Sequence, residues 1–193
     1  MKTFNIVLAG VGGQGVILAS KILSNAGIES NLDVKQSEVH GMSQRGGSVT
    51  SHVRIGSKVY SPLVVEGEAD IVLAFELLEA LRNKHWVKKG GKIIYNKSKV
   101  NPITVSAGAA EYPENIEETL NNLDCDVYGI DALSLAKEAG NAKSGNVVLV
   151  GAASNFIPIE NTVWKTALEK SIPAKILDIN IKAFEAGKNC IQL

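Results

Sequence analysis

The chain has 193 residues, 45% of them hydrophobic and 21% charged, so it can build a substantial core and is too apolar for disorder. Twenty Lys and Arg balance 20 Asp and Glu, which argues against nucleic acid or an anionic membrane as partner. A formally neutral surface also does little to keep subunits apart, and suits a chain that works inside a complex.

The apolar run Phe4–Ala9 reads as a buried strand. Gly10, Gly12 and Gly15 follow at the spacing G-x-G-x-x-G, and a helix is predicted over 14–26, with Val16, Ala19, Leu23 and Ala26 on one face. A glycine-rich turn between strand and helix leaves backbone N–H groups unpaired at the positive end of the helix dipole, which suits a phosphate or other anion. The alternative is a turn that only lets helix and sheet pack closely. A short second strand is predicted over 33–37, and Ser48–Ile55 alternates as a third strand should. Gly56-Ser57 reads as a two-residue turn into Lys58–Ser61, giving a hairpin.

Ala69–Phe75 is continuously apolar, as expected of a strand covered on both faces, and a helix follows from Glu76 to about Asn83. Lys84 with Lys88-Lys89 reads as a solvated helix end. Gly90-Gly91 punctuates before the strand Lys92–Tyr95, and Ile103–Ser106 reads as another strand. Ile116, Leu120 and Leu123 make a helical stripe, with the acids between Glu114 and Glu118 at its N-terminal turn. Val127–Ile130 is a strand, and Asp131 caps a helix ending at Gly140. From Gly145 onward the pattern is helical. Gly151, Ala152, Ala153 and Ser154 allow close approach of a neighbour, and the last helix is expected to stop at Gly187. The expected fold is α/β and Rossmann-like, a mainly parallel sheet with a β-hairpin insertion and a helical C-terminal third, in one domain over 1–193.

Cys125 and Cys190 stand far apart and outside any C-x-x-C pair, so they read as two reduced thiols, without cluster or metal. No signal-type segment opens the chain, and no run reaches the ~18 apolar residues of a membrane span, so a soluble cytoplasmic protein is expected.

The second informative stretch runs from Ser37 to Val49 and concentrates Glu38, His40, Ser43, Gln44 and Arg45 among glycines that include Gly46. Arg45 is one of three arginines in a chain with 17 lysines, and its guanidinium can offer a planar fork to a phosphate or carboxylate. The bland alternative is a hydrogen-bonded loop that orders the hairpin. His40 has no nucleophile beside it, and Glu38, two residues away, is expected to point to the opposite side, so no catalytic residue is assigned. Glu38 also lies 23 positions beyond Gly15, near where a dinucleotide site keeps an acid for ribose, which leaves a free-standing NAD- or nucleotide-binding oxidoreductase as the alternative. A purely structural assembly subunit is the other. Trp86 and Trp164 read as packing or interface residues, and His52 and His85 as structural or surface residues.

Together, Gly10-Val-Gly-Gly-Gln-Gly15, Glu38-Val-His-Gly-Met-Ser-Gln-Arg-Gly-Gly47 and Asn146 ahead of Gly151 resemble the gamma-type domain of 2-oxoacid:ferredoxin oxidoreductases. The likeness runs through Phe75-Glu76, Glu79-Ala-Leu-Arg82 and Asn180-x-x-Ala183-Phe184, and the His-Gly-Met-Ser-Gln-Arg-Gly-Gly form is most similar to the indolepyruvate branch. The resemblance implies an enzyme that oxidatively decarboxylates a 2-oxoacid on thiamine diphosphate, passes electrons through iron–sulfur clusters to ferredoxin and transfers the acyl group to coenzyme A. This chain lacks the Gly-Asp-Gly…Asn signature for the diphosphate and lacks cluster cysteines. It therefore resembles an accessory subunit, inactive alone, whose larger partner carries thiamine diphosphate and the clusters. On this likeness, Gly10, Gly12, Gly13, Gln14 and Gly15, with His40, Ser43, Gln44, Arg45 and Gly46, line a cleft that helps hold coenzyme A.

Overall fold

The structure is a computed structural model that describes residues 2–40 and 47–191. The strands are β1 (Phe4–Val11), β2 (Asp33–His40), β3 (Ser48–Gly56), β4 (Ala69–Ala74), β5 (Val87–Asn96) and β6 (Asp126–Ile130). They form one sheet in the order β2-β3-β1-β4-β5-β6. β1, β4, β5 and β6 are parallel, and β3 runs antiparallel to both of its neighbours, β1 and β2.

The helices are α1 (Val16–Glu29), α2 (Leu77–Arg82), α3 (Ile103–Ser106), α4 (Ile116–Asn121), α5 (Ala132–Glu138), α6 (Gly145–Ser154), α7 (Asn161–Ser171) and α8 (Ala174–Asn189). Strand alternation divides the core. Ile6, Leu8, Ile55, Ile71, Leu73 and Ile94 face one way, into a core shared with α1 and the C-terminal helices. Val7, Val72, Ile93 and Tyr95 face the other way, against Leu77, Leu78 and Leu120. The continuous apolar runs of β1 and β4 thus reflect cover on both faces.

Several expectations change here. The hairpin is β2–β3, not β3 with Lys58–Ser61: β3 spends both edges on β1 and β2, so no edge remains for the following segment. That segment becomes an irregular strap behind β3. Arg54 Nη1 donates to the carbonyls of Ser61 and Leu63, each at 3.0 Å, and His52 Nδ1 accepts from Val64 N at 3.1 Å. β2 runs three residues beyond its expected end at Ser37, which places His40 on the strand, opposite Val49. Ile103–Ser106 is a short helix, because Val105 N and Ser106 N close back onto the Pro102 carbonyl. β5 begins at Val87, and Gly90-Gly91 sit inside it at a shift of register against β4. Lys88 and Lys89 are therefore strand residues paired with Asp70 and Asp124, not a helix end.

The last helix does not stop at Gly187, which lies inside α8. This glycine is there for contact. A Cβ on Gly187 would lie 1.9 Å from the Val148 carbonyl oxygen, and one on Gly151 would lie 2.0 Å from that of Phe184. α6 and α8 pack backbone to backbone, which only glycines at both points allow. Trp164 and Phe184, each 1% exposed, fill the space beside this contact.

Two stability predictions follow from these contacts. Gly151→Ala is expected to cost at least about 2 kcal/mol, since backbone cannot swing aside as a side chain does, lowering Tm by about 4–8 °C in thermal unfolding of the full chain. His52 gives a pH dependence: burial holds its imidazole below the ordinary 6.5, so it is neutral and free to accept from Val64 N. As pH falls, the unfolded chain takes up this proton first. The stabilisation is complete above about pH 6.5 and is lost below it. Urea midpoints at pH 7.5 and 5.5 should differ more in the parent than in His52→Gln, whose amide oxygen still accepts from Val64.

Candidate functional site

The Gly10–Gly15 turn follows β1 at the carboxyl edge of the parallel strands and opens directly into α1. Its glycines do different work. Gly10 is a buried strand residue: a Cβ there would meet Val16 at 2.7 Å and Gln14 and Phe75 at 3.0 Å. Gly15 caps α1 at φ +80°, and its missing Cβ leaves room for Asn146, whose Nδ2 donates to the Gly15 carbonyl at 3.2 Å. Gly13, at φ +100°, is the exposed apex with nothing within 4 Å of its Cβ position.

The loop spends part of its donor capacity on itself. Gln14 N donates to the Val11 carbonyl at 3.1 Å, and Gln14 Oε1 accepts from Val11 N at 2.7 Å. Gly12 N donates to the Gly47 carbonyl at 2.9 Å. Among the described residues none accepts from Gly13 N or Gly15 N. Gln14 N is thus an internal staple of the loop, and Gly12 N ties it to the second stretch.

The Gly12–Gly47 bond joins the two glycine-rich stretches. Across the sheet, Gly10 pairs with Val49 and Val49 with His40, and Val11 pairs with Ser48. The Gly47 end of the His40–Gly47 stretch therefore lies beside the glycine loop, and the His40 end lies one strand further out, across β3. Ser43, Gln44, Arg45 and Gly46 fall outside the described residues. On the α1 side of this junction Val11, Gly12, Gly13, Gly15, Val16, Ile17 and Val49 line a cleft of about 400 Å³. One wall is apolar, and the apex offers unspent N–H groups.

Glu38 departs from its expected position. A spacing of two on a regular strand repeats a face, and Gln36 and Glu38 do share one, with Gln36 Nε2 donating to Glu38 Oε1 at 2.8 Å. β3 also stands between β2 and β1, so Glu38 lies two strands from the glycine loop. In a dinucleotide fold the acid-bearing strand is the immediate neighbour of the first. This geometry removes the ribose role that the spacing suggested.

Sequence reasoning passed over the residues behind the loop. Glu76 and Glu79, each 1% exposed, open α2 immediately after β4. Glu76 caps the helix through Glu79 N and also accepts from Val100 N at 3.0 Å and from Tyr112 Oη at 2.6 Å. Burial, then this carboxylate, holds the Tyr112 phenol far above its ordinary range, so it stays a donor. Glu79 accepts from Ser48 Oγ at 2.6 Å and Arg82 Nη1 at 2.7 Å. On the far side of Gly13, a second and more polar hollow is lined by Asn96, Ser98, Lys143 and Asn146. The Phe75-Glu76 and Glu79-Ala-Leu-Arg82 pattern was the available signal for the carboxylates. Nothing local marked Ser48 or Lys143.

Residues 5–190 match the family described as Pyruvate ferredoxin/flavodoxin oxidoreductase. Indolepyruvate oxidoreductase subunit IorB of Thermococcus kodakarensis is 44% identical over 193 residues, covering 97% of this chain and 95% of that protein. The 2-oxoglutarate:ferredoxin oxidoreductase of Magnetococcus marinus, solved with 2-oxoglutarate, coenzyme A and succinyl-CoA bound, is similar to this chain at a TM-score of 0.76 and 25% identity. That likeness covers 100% of this chain and 32% of the other. The keto/oxoacid ferredoxin oxidoreductase gamma subunit of Geobacter sulfurreducens shares the fold at a TM-score of 0.73 and 23% identity, over 96% of each chain. From the match over residues 5–190 and the near-complete overlap with a relative 44% identical, the chain belongs to the pyruvate ferredoxin/flavodoxin oxidoreductase family.

Proposed function

We propose that this chain is the accessory subunit of a 2-oxoacid:ferredoxin oxidoreductase acting on indolepyruvate or another aryl pyruvate, and that its glycine cleft helps to hold coenzyme A. The observation that carries the reading is the 44% identity, end to end, with a protein named as an indolepyruvate oxidoreductase subunit. A larger partner chain completes the enzyme and hands electrons on to ferredoxin. Bound on that partner, thiamine diphosphate and iron–sulfur clusters supply decarboxylation and electron transfer. No helix among the described residues is long and apolar enough to cross a membrane, in keeping with a cytoplasmic assembly.

This chain's own part is binding and orientation. The exposed Gly13 N–H at the start of α1 suits a phosphate oxygen, because the helix dipole adds to the donor. Val11, Val16, Ile17 and Val49 give the less polar part of the same molecule a surface to lie along and exclude water from it. Arg45, with His40, Ser43, Gln44 and Gly46, belongs in sequence to the stretch that ends at Gly47, the residue bonded to Gly12 N, and we assign its guanidinium the part of balancing the ligand's charge. The Magnetococcus marinus enzyme, similar over all of this chain, was solved with coenzyme A bound, which supports the ligand class.

Two measurements test the proposal. The purified chain alone is expected to show no turnover with indolepyruvate, coenzyme A and a viologen acceptor, and co-expression with the larger subunit should restore it. Turnover by the chain alone would overturn the accessory role. In the assembled enzyme, Arg45→Ala should raise KM for coenzyme A by roughly ten- to a hundredfold, as expected for loss of a charge-assisted contact of about 1.5–3 kcal/mol, with Tm unchanged. An unchanged KM beside a fallen Tm would make Arg45 a structural residue.

A further inference from the structure

We infer that Glu79 is a positioning residue for the glycine cleft. From the opposite face of the sheet it fixes Ser48, and through Ser48 the Gly12–Gly47 bond that joins the two glycine-rich stretches. The consequence for ligand affinity rests on the reading of the cleft as a coenzyme A site.

The argument starts from cost. A carboxylate 1% exposed loses its hydration, and in the first turn of α2 it gains only the modest favour of the helix dipole, since Glu76 already fills the N-cap. Its charge partner Arg82 is 47% exposed and so is largely screened by water. What Glu79 adds is a bond to a residue 31 positions away, the first of β3.

That residue occupies the decisive place. Ser48 pairs with Val11, the last residue of β1 before the loop, and the preceding carbonyl, Gly47, holds Gly12 N. Side chains alternate along β3, so Ser48 is gripped from behind while Val49 faces the cleft. With its hydroxyl held, Ser48 cannot peel from β1, and the register at the mouth of the loop is kept. Without that hold, Ser48 itself is secured, among the described residues, by backbone pairing at a sheet terminus, where local opening costs least.

The test uses Ser48→Ala, Ser48→Thr and Glu79→Gln in the assembled enzyme, with Arg45→Ala as reference. Ser48→Ala should speed hydrogen exchange in the peptide spanning residues 8 to 17 and raise KM for coenzyme A, each roughly three- to thirtyfold, while kcat changes by less than about twofold. Ser48→Thr keeps the hydroxyl and should restore both. Glu79→Gln keeps an oxygen for Ser48 and should fall between, and the double variant should be no worse than Ser48→Ala, as for two ends of one bond. Unchanged exchange in Ser48→Ala, or additive effects in the double variant, would overturn the inference whatever the ligand. If exchange quickens while neither Ser48→Ala nor Arg45→Ala moves KM, the coenzyme A reading fails and the positioning stands. If Arg45→Ala raises KM and Ser48→Ala does not, the positioning inference is overturned.

Discussion

The site depends on one backbone arrangement, the antiparallel insertion of β3 between β1 and β2. Because β3 runs against β1, its first residue meets the last residue of β1, and the chain entering β3 arrives at the glycine loop. A parallel β3 in the same slot would start at the opposite edge of the sheet, about 27 Å away for eight residues of strand. A slip of one residue would be as damaging, since it would turn Ser48 toward the cleft and Val49 away from it. The core resists such a slip: Val49, Val53 and Ile55 sit in the α1-side core, whereas His52 and Arg54 anchor the strap on the other face.

A second constraint comes from the far end of the chain. Asn146 reaches the Gly15 carbonyl from the first turn of α6, and α6 is held by its glycine contact with α8. The conformation at the start of α1 is therefore set by residues more than a hundred positions downstream. The C-terminal helices act as a brace for the loop, and the tight α6–α8 contact places the brace to within the tolerance of a single missing methyl group.

How much of this is legible in the sequence depends on whether the deciding interaction is local. Strand and helix types at 4–9, 14–26, 69–75 and 127–130 were legible because periodicity and the Asp131 cap act over a few residues. The partner of β3 was not, because Gly56-Ser57 is a sound local turn and only the occupied edges of β3 forbid a hairpin there. Gly187 misled in the same way: at the end of a helical stripe a glycine reads as a stop, and only the position of Val148 shows that it is a contact. Within the site, the two glycine-rich stretches were expected at one cleft, and among the described residues Gly12 and Gly47 join them. The internal use of Gly12 N and Gln14 N and the role of Glu79 were not expected, since a carboxylate on a short helix looks the same in sequence whether it faces water or Ser48.

The donor count of the loop bears on how labour is divided in this family. Gly12 N and Gln14 N are committed to holding the loop, Gly15 is crowded by Asn146, and Gly13 alone is both exposed and unspent among the described residues. One apex N–H with a helix dipole stabilises an anion only modestly. A ligand carrying several phosphate charges needs cations, and among the described residues the lining of the cleft holds none. On the proposed reading that charge is supplied by Arg45, by groups on the partner chain, and by Lys143 where the ligand reaches the hollow on the far side of Gly13. On the same reading the loop serves to align as much as to bind, because a braced apex fixes where the ligand crosses the sheet edge. On that reading, occupancy of the cleft is coupled to assembly of the enzyme.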